Sequence, residues 1–326
     1  MQGEWKHKIL NVTDSGFESL ALELFQFQYK ENPVYQAYVK ALRVEAGSVL
    51  SIEKIPFLPI SFFKSHEIKT TEFKPELIFE SSGTTGSINS RHLVKDKNWY
   101  TEVFITIFEK TYEPVSRYCI LGLLPSYLER HNSSLVYMVN SLVEKSNHLQ
   151  SGFYLDEYKK LFNVLSELEK QDQKTLLIGV TFGLLDFAER YSLKLKNTII
   201  METGGMKGRR EEMIREDVHA ILKKAFGVPL IHSEYGMTEL LSQAYSKDDG
   251  IFKTPSWMKV LVRDDEDPLF LKQSGNGLIN VIDLANIYSC CFIATDDIGR
   301  LNTDGSFEVL GRMDGSDLRG CSLLAV

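Results

Sequence analysis

Apolar residues follow two rhythms along this chain. Near the start, Phe17, Leu20, Ala21, Leu24 and Phe25 recur at the spacing of one helix face. Ser15-Gly16-Phe17-Glu18 reads as a capping box for that helix, and Asn32-Pro33 as the cap and first position of a second, ending near Arg43. From Ile55 to Phe63 two prolines lie among large apolar groups, which predicts an ordered, packed segment rather than a linker. Beyond residue 76 short apolar runs alternate with helical patterns. Leu77 to Phe79, Tyr118 to Leu124, Thr175 to Val180, Thr198 to Met201 and Val228 to Ile231 predict strands. Between them, residues 96–110, 132–146, 156–170, 182–192 and 209–226 predict helices. After residue 255 short strand-like runs with turn signals take over, including Ser274-Gly-Asn-Gly277 and Asn302-Thr-Asp-Gly305. The pattern predicts an α/β fold: one domain with an α/β part over residues 1–254 and a β-rich part over 255–326.

Composition narrows the partners. The 44 acidic and 37 basic side chains give a net charge of -7, which argues against a nucleic-acid partner. The densest basic cluster, Lys207, Arg209 and Arg210, runs straight into Glu211 and Glu212 and reads as a solvated helix start. The amino terminus lacks a basic-then-apolar leader pattern, and the stretch from Leu176 to Phe187 is too short and too interrupted to span a bilayer, so the expectation is a cytoplasmic protein with no transmembrane segment. Four cysteines, Cys119, Cys290, Cys291 and Cys321, have neither metal-site spacing nor scaffold density, and free thiols are expected.

Three strings carry candidate chemistry. Ser81-Ser82-Gly83-Thr84-Thr85-Gly86 follows the apolar run Leu77 to Phe79; its glycines permit a tight path with inward amides, and its hydroxyls can follow phosphate oxygens. It lacks the lysine of the common nucleotide loop, and on its chemistry alone an ordinary turn serves as well. In Ser233-Glu-Tyr235-Gly236-Met-Thr238-Glu239 a hydroxyl and a carboxylate stand together, a pairing suited to phosphate and a hard cation; a capped helix start is the structural alternative. The third runs from Ala294 through Asp297 to Gly311-Arg312 and on to Arg319-Gly320, where a carboxylate can accept two ribose hydroxyls and an arginine fork can neutralise phosphate. Surface turns with ion pairs would look similar.

In their order these strings resemble the phosphate loop, the Tyr-Gly-Met-Thr-Glu motif and the late Asp and Gly-Arg motifs of acyl-adenylate-forming enzymes, over most of residues 77–320. The resemblance implies an enzyme that uses ATP and Mg²⁺, with Ser81, Ser82, Gly83, Thr84, Thr85, Gly86 and Thr238 on the phosphates and Glu239 on Mg²⁺. It further implies Asp297 on the ribose, Arg312 from the Gly-Arg string, Tyr235 and Gly236 at the nucleotide, and Gly204-Gly205 against adenine. Two departures stand out. The Pro-Lys usual after the phosphate loop is replaced by Ile88-Asn89, with Arg91 as a substitute cation. The family's mobile C-terminal domain would follow Arg319-Gly320, whereas this sequence stops at Val326, so the adenylating N-terminal domain is expected without it.

With Cys321 directly after Gly320, the chain is further similar to the acyl-protein synthetases of the fatty-acid reductase complexes of luminous bacteria. Ile55 to Phe63, Pro125 to Arg130, Ser133 to Val139 and Gly320 to Leu323 carry this closer likeness. It implies a fatty acid activated as acyl-adenylate, held as a thioester on Cys321 and passed to an acyl-acceptor protein such as an acyl reductase. Two other readings stay open: an acyl- or aryl-CoA ligase or a domain that loads a carrier protein, and a non-catalytic nucleotide- or acyl-binding module. His131 and Tyr127 are further acyl-pocket candidates, with an exposed helix start as the plainer role for His131.

Overall fold

In a computed structural model, residues 2–81, 88–124, 132–204, 213–264, 267 and 269–313 are described. They form two compact units: one of residues 1–104, 236–244 and the stretch from 253 onward, the other of residues 105–235 and 245–252.

In the first unit, helices Gln2–Leu10, Asp14–Glu31 and Pro33–Ala41 accompany a six-stranded sheet and a two-stranded hairpin. The sheet runs Leu58–Pro59, Phe292–Leu301, Gly275–Asp283, Met258–Arg263 and Leu271–Lys272, with Phe307–Arg312 also paired to Phe292–Leu301. All its pairs are antiparallel except Leu58–Pro59, which joins Ile293 and Ala294 in parallel. Thus the Pro-rich stretch is a packed edge, as its pattern predicts. Pro59 sits at that edge, where its missing N–H costs no ladder bond. Behind it, Phe292 packs against Tyr35, Phe25 and Phe57 with ring centroids 6.1 to 6.2 Å apart.

Two amides of the Asp14–Glu31 and Pro33–Ala41 region reach across the sequence. Buried Gln28 donates to the carbonyls of Asn286 (3.2 Å) and Ile287 (3.1 Å) and accepts from the Cys291 N–H (2.9 Å). Asn32 caps its helix by accepting from Tyr35 N–H at 3.0 Å, as expected, and its amide donates to Ser289 O at 3.0 Å. The capping box expected at Ser15 does not form: the helix begins one residue earlier, at Asp14, after Thr13, whose side chain makes no cap bond. Its neighbour ends at Ala41, near Arg43 as expected, and Arg43 adopts a positive φ of 57° outside the helix.

In the second unit, a sheet is ordered Gly152–Phe153, Cys119–Leu123, Thr175–Val180, Thr198–Thr203, His232–Tyr235 and Ala244–Ser246. Its first five strands are parallel. Cys119–Leu123 and Thr175–Val180 are buried at every residue, the mark of a parallel strand covered on both faces. Helices Ser134–Ser146, Tyr158–Lys170, Thr181–Arg190 and Arg215–Phe226 connect them. One strand expectation is corrected. Val228 to Ile231 is irregular, and the strand is the polar His232–Tyr235 that follows. A run of apolar residues beside a proline had mimicked a strand; pairing with Thr198–Thr203 decides where it lies. Among the described residues no helix is long and apolar enough to cross a membrane.

Candidate active site

The hairpin strands Leu77–Glu80 and Arg91–Val94 flank the Ser81-to-Gly86 string in sequence, with Phe79 opposite His92 and Glu80 opposite Arg91. Its neck is closed by Ser81, whose N–H donates to Ser90 O at 3.0 Å and whose hydroxyl oxygen accepts from Ser90 N–H at 2.9 Å. Ser81 is therefore occupied in shaping the loop. Ser82, Gly83, Thr84, Thr85 and Gly86 lie outside the described residues. Arg91 is exposed and within 4.0 Å of Glu67.

Thr238 and Glu239 form a turn, Leu240 N–H donating to Met237 O at 3.1 Å, and the helix start weighed for them is not formed. What holds this turn had no signal in the sequence. Nδ1 of buried His92 lies 2.8 Å from Thr238 O, and its Nε2 lies 3.1 Å from Asn286 Oδ1. The Asn286 amide nitrogen donates to Glu239 O at 2.8 Å. Burial pulls His92 below the ordinary histidine pKa, against the Thr238 carbonyl, the Glu239 charge and Asn286, which all favour its protonated form. Just beyond, the buried Asp283 carboxylate accepts from the N–H groups of Leu241 and Ser242, both at 2.9 Å, and from the Ser242 hydroxyl at 2.7 Å. Burial raises the Asp283 pKa, and these donors offset part of that rise. Glu239 itself is fully buried.

Asp297 and Arg312 lie opposite each other on the neighbouring strands Phe292–Leu301 and Phe307–Arg312. Arg312 Nε is 4.0 Å from Asp297 Oδ1, and its Nη2 is 3.5 Å from Asp296 Oδ2. The sheet thus brings together two residues that the sequence separates by a turn.

In the second unit, Gly204 and Tyr235 follow Thr203 and Glu234, which are partners on adjacent parallel strands. Both lie at the carboxyl edge, where open α/β sheets take their ligands. Gly204 turns with φ 68°, and the Thr181 hydroxyl holds the turn, 2.8 Å from Gly204 O and 3.0 Å from Glu202 Oε2. The Thr203 hydroxyl donates to Glu234. Burial, with the Glu202 charge adding to it against Thr203, pushes the Glu234 carboxyl up to about 7. Glu202 goes the other way: burial would raise it, but His219, Arg215 and Ser233 hold it below the usual carboxylate range. Its Oε1 is 3.8 Å from both Arg215 Nε and His219 Nε2. Gly205, the 207–210 basic cluster, Tyr127, His131, Arg319 and Cys321 lie outside the described residues.

The architecture is similar in fold to solved structures. An open conformation of 2-hydroxyisobutyryl-CoA ligase, bound to 2-HIB-AMP and CoA, superposes with TM-score 0.68 at 11% identity, covering 93% of this chain and 75% of the other. ATP-bound MatB from Rhodopseudomonas palustris gives 0.54 at 17% identity over 74% of this chain, which spans about half (50%) of that protein. The sequence profile of the acyl-protein synthetase family LuxE matches residues 12–325, and the chain belongs to that family. Membership makes it an ATP-dependent ligase. A long-chain-fatty-acid–luciferin-component ligase of Vibrio harveyi is 22% identical over 327 residues, 92% of this chain and 84% of the relative.

Proposed function

We propose that this ligase activates a long-chain fatty acid as its acyl-adenylate, takes the acyl group onto Cys321 and passes it to an acyl-acceptor protein such as an acyl reductase. The observation that carries the first half is the Thr238–Glu239 turn tied to the neck of the Ser81–Ser90 loop through His92 and Asn286. Among the described residues no cluster of three metal-ligating side chains occurs. A single buried carboxylate fits Mg²⁺ all the same, since that ion keeps waters and substrate phosphates as its other ligands. When bound, it draws charge from the phosphate oxygens. Glu239 would hold it, with Thr238 and the 82–86 hydroxyls and amides on the phosphates. Asp297 would accept the ribose hydroxyls, Arg312 would face the phosphate, and Gly204, Gly205, Tyr235 and Gly236 would flank the base.

A carboxylate needs positioning rather than a base. One of its oxygens attacks the α-phosphorus, the bond to the β-phosphate oxygen breaks, and pyrophosphate leaves. The Cys321 thiolate then attacks the acyl carbon; a C–S bond forms, the bond to AMP breaks, and the thiol proton goes to solvent. The other three cysteines are poor rivals. Cys119, Cys290 and Cys291 are buried, and burial pushes their thiols up, to about 11 for Cys119 and about 12 for Cys290.

The test is intact-mass spectrometry after incubation with Mg-ATP and fatty acids of graded length. One hydroxylamine-labile acyl adduct is expected on the wild type and none on Cys321→Ser. An adduct that survives the substitution removes Cys321 from the mechanism. Acyl-CoA formed with added CoA, in place of any adduct, would favour the CoA-ligase reading.

A further inference from the structure

We propose that His92 is a positioning residue for adenylation, acting with Asn286 to fix the Thr238–Glu239 peptide against the hairpin whose strands flank the Ser81–Gly86 loop. The inference rests on the reading of Glu239 as the Mg²⁺ ligand and adds a residue from outside every motif.

Two successive backbone carbonyls, those of Thr238 and Glu239, each meet a side chain from elsewhere in the first unit: His92 Nδ1 at 2.8 Å and Asn286 Nδ2 at 2.8 Å. The two side chains in turn meet each other, His92 Nε2 and Asn286 Oδ1 being 3.1 Å apart. Because Asn286 uses its nitrogen toward Glu239 O, its oxygen is the atom that faces the imidazole. Thr238 O and Asn286 Oδ1 are both acceptors, so a ring with one proton donates to one of them: with the proton on Nδ1 it holds Thr238 O, and the Asn286 amide holds Glu239 O beside it. Rotating either peptide to re-aim the Thr238 hydroxyl or the Glu239 carboxylate would break a bond buried away from water. His92 is itself fixed. Its backbone is paired with Phe79, and its ring meets that of Phe63 at a right angle with centroids 6.0 Å apart. Two residues from His92, Ser90 makes both bonds to Ser81 that close the loop neck. The neck of the loop and the turn are therefore tied to the same hairpin strand. Asp283 adds the second anchor by holding the amides of Leu241 and Ser242.

The experiment is acid-dependent exchange of pyrophosphate into ATP, followed against free Mg²⁺ and against acid, on the full chain. His92→Leu keeps the bulk and loses both polar contacts. A positioning role predicts that it raises the Mg²⁺ concentration for half-maximal rate and lowers kcat, each by roughly tenfold, the low end for partners that orient metal ligands. KM for the acid should stay within about twofold, because uniform binding is untouched. His92→Asn, whose amide nitrogen can take the place of Nδ1, should restore most of both. Asn286→Ala carries the same expectation, so the test stands if His92→Leu does not fold. A merely structural role would lower Tm and leave Mg²⁺ dependence and kcat unchanged per folded molecule; that result overturns the proposal, as does failure of His92→Asn to restore more than His92→Leu. Glu239→Gln separates the two readings. If it abolishes exchange while the His92 and Asn286 variants leave it intact, the clamp alone fails; if it leaves exchange normal, the metal-ligand reading falls and takes the clamp with it.

Discussion

A carboxylate removed from water is costly unless partners compensate it, and Glu239 is fully buried at a turn with no regular structure to justify the choice. The proposed role as the Mg²⁺ ligand gives a carboxylate a use at this position that leucine or glutamine would not have. Glu239→Gln preserves the shape and removes the charge. Adenylation should fall by about a hundredfold, the effect of losing one strong electrostatic contact to a developing charge, with the fold intact. Circular dichroism alongside pyrophosphate exchange checks this, and near-normal exchange in a folded variant would take Glu239 out of the site.

The His232–Tyr235 strand holds two groups displaced in opposite directions. Burial, reinforced by Lys247, lowers His232 to about 4, while Glu234 is raised to about 7. Between the ordinary carboxylate value of 4.5 and about 7, the folded chain keeps a proton on Glu234 that the unfolded chain releases. Its contribution to stability is therefore complete below 4.5 and disappears as pH rises through 7. For His232 the sign reverses: folded His232 refuses a proton that the unfolded chain takes up, so stability declines as pH falls from 6.5 toward 4. Over the shared window the two slopes oppose each other. Glu234→Gln removes one of them, and relative to wild type the variant should gain on the order of 3 kcal/mol between pH 4.5 and 7.5, an upper figure from about 1.4 kcal/mol per pH unit. Denaturant melts of both proteins at matched pH values measure the difference; a pH-independent difference would place Glu234 in water. This strand also marks where sequence reading stopped. Its four polar-to-aromatic residues have no strand rhythm, because their partners, Thr203 for Glu234 and Tyr112 for His232, are supplied by other elements. Thr175 to Val180, whose apolar run is continuous, was legible to the residue. The motif strings stand out in the sequence through their order. His92 and Asn286 do not, since their contacts with Thr238 and with each other span 146 and 194 positions.

On the scale of the whole molecule, the first unit is assembled from pieces at both ends of the sequence, and Gln28 is one of its fasteners. Replacing it with alanine would leave the Cys291 N–H and two carbonyls without their buried partner. A loss of about 3 kcal/mol is expected, the scale of one or two buried polar groups left unsatisfied. Equilibrium unfolding by tryptophan fluorescence reads it directly, and a change below about 0.5 kcal/mol, the range of ordinary surface substitutions, would show that water replaces the amide.

The same fastener sets a timetable for synthesis. Gln28 and Cys291 are 263 positions apart, so a ribosome adding about 5–20 residues per second needs roughly 13–50 s between making one and making the other. Through that interval residues 105–235 emerge and can complete their parallel strands, while the Asp14–Glu31 helix, made before them, still waits for the segment at Cys291. Its Phe17, Leu20, Leu24 and Phe25 face is the surface a holding chaperone would meet on the nascent chain, and the first unit, begun earliest, is the last to close.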